Sequence, residues 1–72
     1  MTQEEKIAML EEMLELDGGS LKPEMKLNEI PEYDSMAKLS LIVMMDEEVG
    51  KKLTGEDIQG FKTVQDILDF MG

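Results

Sequence analysis

The sequence predicts an all-α fold, a small bundle of three main helices and one short one. Three observations carry this. Thr2–Glu5, Thr54–Asp57 and Thr63–Asp66 each set a capping threonine three residues before an acid, the spacing at which a helix start satisfies its own free amides. Apolar residues then recur at three- and four-residue intervals. No stretch alternates at the period of two that a half-buried strand needs.

The first helix is expected over about residues 3–16. Ile7, Leu10, Met13 and Leu14 form its inner stripe, while Glu4, Glu5, Glu11 and Glu12 read as acids for the outer faces. Gly18 and Gly19 are expected to end it. Residues 17–34 form a loop with Pro23 and Pro31, the latter pushing Ile30 out of the helical region. Loops this long in a small domain are functional or disordered, and Leu21, Met25, Leu27 and Ile30 are apolar enough to pin this one to a core. Asp34 is a good cap for a second helix over about 35–49, which Gly50 closes. A short helix follows over about 55–59. The last runs over about 64–71, with Val64, Ile67, Leu68 and Met71 at i, i+3, i+4 and i+7.

Seventy-two residues, 1–72, suffice for a single small domain, which buries only about 60% of the surface its unfolded chain exposes. There is no cysteine, so neither a disulfide nor a thiolate is available, and no histidine. Seventeen acidic against seven basic side chains give a formal charge of −10. Such a surface repels nucleic acid and anionic lipid and attracts basic patches on proteins; it also serves plain solubility. The longest apolar stretch, Leu41 to Met45, falls far short of the ~20 residues a membrane helix needs. The start is charged and not basic-then-apolar, so no signal peptide is expected, and a soluble cytoplasmic monomer is. Eight methionines fill a core or make an interior that can reshape around a guest.

Ser35 raises the functional question. A serine nucleophile needs a base, and without histidine only Lys38, three residues on, gives the spacing of a Ser-x-x-Lys arrangement. A chain this short leaves little room for the cleft such chemistry requires. A calcium loop fails in both available registers. From Asp17 the sixth and twelfth positions are Lys22 and Asn28; from Asp46 they are Lys51 and Asp57. Zinc is no better served without histidine or cysteine, and no metal site is expected. With Asp34 as cap, Ser35 is the first helical residue and its hydroxyl is free beside the positive end of the helix dipole. That position suits attachment of an anionic group such as a phosphodiester.

From Asp34 to Met71 the sequence resembles the acyl carrier protein family, and the match in layout covers nearly the whole chain. The family signature Asp-Ser-Leu at the start of its second helix reads Asp34-Ser35-Met36 here, after a long loop. The segments "MDEEVG", "LTGEDI" and "TVQDILDF" also look like that family. The resemblance implies that Ser35 receives 4'-phosphopantetheine from a phosphopantetheinyl transferase, and that the arm's thiol carries an acyl group as a thioester. The chain would then be a carrier and not an enzyme, serving fatty acid or specialised acyl biosynthesis. An aminoacyl or peptidyl carrier, or an unmodified acidic helical interaction module, is the alternative.

The resemblance also implies that Ile42, Met45, Leu53, Ile58, Phe61, Val64, Ile67 and Leu68 surround the space an acyl chain can enter. Asp34, Met36, Lys38, Met44, Asp46 and Glu47 would meet acyl-loading and acyl-processing enzymes with basic docking patches. Three departures are visible. Tyr33 stands where the family commonly has glycine, Met36 replaces leucine, and Ala37, Lys38 and Ser40 occupy a region usually acidic. These point towards a specialised carrier.

Overall fold

The computed structural model describes residues 2–72. Its element order is α1 (Gln3–Met13), a 3-10 turn (Leu27–Glu29), α2 (Ser35–Met44) continued by a π turn (Met45–Val49), α3 (Gly55–Gly60) and α4 (Val64–Met71). The described residues thus form an all-helical bundle of three main helices and one short one, with a single isolated bridge between Lys26 and Thr63.

Local chemistry sets the helix starts. Thr2–Glu5, Thr54–Asp57 and Thr63–Asp66 all form reciprocal capping boxes, each threonine accepting the acid's amide while the acid accepts the threonine's. The first helix stops earlier than the glycines suggested. At its end Leu16 N–H reaches the Glu11 carbonyl (2.8 Å) and Glu15 N–H the Glu12 carbonyl (3.1 Å), the paired bonds of a Schellman turn. Glu15 takes the left-handed conformation there, at φ 60°, so α1 ends at Met13 and Gly18 and Gly19 lie beyond the stop.

The connection after α1 is pinned at both ends. Glu11 is a correction to the sequence reading: it is only 7% exposed, and its carboxylate accepts amide hydrogens from Gly19 (2.8 Å) and Leu21 (3.0 Å). Further along, the Pro23 and Met25 carbonyls accept the first two amides of α4, those of Gln65 (2.9 Å) and Val64 (3.0 Å). Helix starts leave such donors without intrahelical partners, so the loop completes α4 while α4 fixes the loop. Leu21, Leu27 and Ile30 are buried and Met25 packs against them.

Leu10, Leu14, Ala37, Leu41, Met45, Leu53, Val64, Ile67, Leu68 and Met71 join them in one core. Each fully buried Leu, Ile or Met contributes roughly 1.5–3 kcal/mol, the main term holding a chain of this size together. Lys51 secures the end of α4, its ammonium donating to the Phe70 carbonyl at 2.8 Å where the helix dipole is negative.

Candidate functional site

The start of α2 is built by one side chain. Asp34 sits in extended backbone, and its carboxylate accepts the amide hydrogen of Ala37 at 2.9 Å. Capping therefore falls to Asp34, and Ser35 follows as the first residue of the helix, exposed to solvent. The first turn of α2 itself holds no acid, and the one carboxylate at the positive end of the helix is that of the cap, Asp34. A group joined to the Ser35 hydroxyl would project into water from a rigid, capped helix, and a negative one would be favoured by the dipole.

Tyr33 and Lys38 flank this point. The Lys38 ammonium lies 5.7 Å from the centre of the Tyr33 ring, a cation–π contact worth about 0.5–1 kcal/mol at an exposed site. The Tyr33 hydroxyl is buried without a hydrogen-bond partner, and burial pushes its pKa up. Both residues line a groove of about 240 Å³ with Leu27, Ile58 and Phe61, beside the loop and α3.

α2 carries two apolar stripes. Ala37, Leu41 and Met45, four residues apart, face the core. Met36, Leu39 and Val43 face outward, 71%, 59% and 53% exposed. Leu39 and Val43 are surface residues, so the apolar run of this helix does not all belong to the core. Their spacing from Met36, three and seven, is the signal that separates the two stripes. Met44 is half-buried, while Asp46 and Glu47 are exposed on the π turn.

Of the residues expected around an acyl chain, Met45, Leu53, Val64, Ile67 and Leu68 lie in the core, and Ile42, Ile58 and Phe61 pack against its edge. Surface grooves reach that edge on two sides, one passing Ile42 and Leu53, the other Ile58 and Phe61. Among the described residues, no cluster of three or more acidic side chains is arranged to hold a metal ion. No helix among them is long and apolar enough to cross a membrane.

A compact acidic bundle that presents a serine at a capped helix start has the form of a carrier domain. Relatives make the family specific. An acyl carrier protein from Thermosynechococcus vestitus is 35% identical over 64 residues, 89% of this chain and 79% of its own. One from Myxococcus xanthus is 30% identical, covering 97% of this chain and 94% of its own. A meromycolate extension acyl carrier protein from Mycobacterium leprae is 28% identical across 99% of this chain and 65% of its own. The chain belongs to the acyl carrier protein family. No family model matches it, and no solved structure does.

Proposed function

We propose that this protein carries acyl groups on a 4'-phosphopantetheine arm attached to Ser35. The observation that carries the reading is the division of labour at α2, where Asp34 caps the helix and leaves the exposed Ser35 hydroxyl uncommitted. The residues present fit the group: a free hydroxyl accepts the phosphodiester, and the positive end of the helix dipole favours its charge. When bound, the arm supplies a thiol that holds the acyl group as a thioester. The chain's own residues supply the rest. Asp34 holds the attachment point rigid, and Lys38, exposed in the same turn, offers a cation near the new negative charge.

In this reading the chain is a carrier and not a catalyst. Tethering raises the local concentration of the cargo for each visiting enzyme. Those enzymes meet Met36, Lys38, Met44, Asp46 and Glu47. The acids begin only at Asp46, so basic docking patches engage the far end of α2 while the front offers Lys38. Lys38→Glu should therefore improve exchange with generic fatty-acid synthesis enzymes. The reading itself is tested by fragment mapping of protein isolated from its native cell. A thioester-borne acyl group on the fragment containing Ser35 supports it; an amino acid there would favour the aminoacyl alternative. A modified Ser20 or Ser40 would overturn the assignment.

A further inference from the structure

We infer that the Tyr33 hydroxyl selects the cargo, favouring an acyl chain with an oxo or hydroxyl oxygen close to its thioester over a fully saturated one. The inference rests on the proposed arm at Ser35 and names the class of acyl group that this arm holds. Among the described residues, the Tyr33 hydroxyl is the one buried side-chain oxygen or nitrogen without a hydrogen-bond partner. Buried polar groups are nearly always paired, so a lone one calls for a partner from outside the fold. A phenol can donate as well as accept. Burial raises its pKa, which keeps it protonated, and so a donor, at neutral pH.

Position decides which part of the cargo meets this hydroxyl. Tyr33 lies two residues before Ser35 and lines the groove of about 240 Å³ that passes Ile58 and Phe61. Asn28, Lys38 and Gln59, all exposed, line the same groove, which makes it the polar mouth of the route. Met45, Ile67 and Leu68 are fully buried in the apolar core. A chain entering here from the arm sets its first carbons beside Tyr33 and sends its tail towards those residues. The Lys38 ammonium, 5.7 Å from the ring centre, holds the ring without occupying its hydroxyl. A saturated chain leaves that hydroxyl buried and unpaired, whereas an oxygen on the third carbon accepts its hydrogen. A site that hydrogen-bonds one oxygen of its ligand discriminates against the analogue lacking it.

The test loads octanoyl, 3-oxooctanoyl and 7-oxooctanoyl groups, each through a stable amide in place of the thioester, onto the unaltered chain and Tyr33→Phe. Intact mass confirms each loading, and urea unfolding gives the ratio of folded to unfolded protein. Replacing octanoyl by 3-oxooctanoyl should favour the folded state about fivefold more on the unaltered chain than on Tyr33→Phe, the size of one net hydrogen bond. The 7-oxo group, carried past Tyr33, should show a difference under about twofold. Tyr33 is the only tyrosine and there is no tryptophan, so near-ultraviolet absorbance follows this phenol directly. Its ionisation should require higher pH with 3-oxooctanoyl than with octanoyl, because the bond is made by the protonated form. A loaded chain with no such difference, or with an equal one for both oxo positions, would overturn the inference and leave the arm in place. A chain that gains no mass would remove the arm and the inference with it.

Discussion

The carboxylate of Glu11 accepts the amide hydrogen of Leu21 at 3.0 Å, tying the first helix to the loop ten residues further on. The same oxygen accepts the Gly19 amide at 2.8 Å, so one buried acid fixes the entry to the whole 14–34 connection. Without it, the Leu21 amide is buried and unpaired, at a cost of about 1–3 kcal/mol. Glu11→Ala should lower stability by about 2–3 kcal/mol, measured by urea unfolding, and Glu11→Gln by less because an acceptor remains. A loss under about 0.5 kcal/mol for Glu11→Ala would mean that Leu21, Leu27 and Ile30 hold the loop by packing alone.

That residue marks a boundary of what is legible in the sequence. The three threonine caps and Asp34 are local, involving residues within one turn, and follow directly from spacing. Glu11 lies on the 7, 10, 11, 14 face, the buried side of α1, but residue type argues against burial until its two amide partners are visible. The end of α1 departs from expectation for a related reason. Gly18 and Gly19 are the usual stop signals, whereas Glu15 occupies the left-handed position itself. The same holds at the candidate site. Asp34 and Ser35 follow from adjacent residues, while the Lys38–Tyr33 stack and the outward turn of Leu39 and Val43 depend on packing between elements.

Glu15 holds a conformation that costs a side-chain-bearing residue about 1–2 kcal/mol. Glu15→Gly should raise the melting temperature, by a net gain under about 1 kcal/mol after the glycine's entropy in the unfolded chain is counted. Gly50, at φ 75° with open space around it, is the converse case. Gly50→Ala should cost about 1 kcal/mol or more from backbone strain alone. Equal melting curves for all three proteins would contradict the conformational argument.

Asp66 accepts the amides of Lys62 (2.8 Å) and Thr63 (3.0 Å), and these bonds hold its carboxyl below the usual aspartate range. Its contribution to stability is therefore present above the ordinary aspartate pKa and is lost as pH falls through the depressed folded value. Asp66→Asn should flatten the acid limb of the stability–pH curve and leave its shape near neutrality unchanged. An unaltered acid limb would show that these bonds form equally well to the protonated carboxyl.

An acyl chain on the Ser35 arm should enter between α2 and the last two helices. Each buried CH₂ is worth roughly 0.8 kcal/mol, so six set a ceiling of about 5 kcal/mol. Opening the packed interior returns about 1–3 kcal/mol of this, leaving a gain near 2 kcal/mol. The octanoyl form should melt several degrees above the pantetheinylated form, with NMR shifts at Ile42, Met45 and Ile67. Coincident melts without those shifts would place the chain in solvent, as expected for polar cargo.

The attachment of the arm is tested most directly by intact mass after incubation with a phosphopantetheinyl transferase and coenzyme A. The unaltered chain should gain the mass of one phosphopantetheine, and Ser35→Ala should gain none while staying folded, since Asp34 still caps the helix. An unmodified wild-type chain, or an adduct that persists on Ser35→Ala, would contradict the central claim.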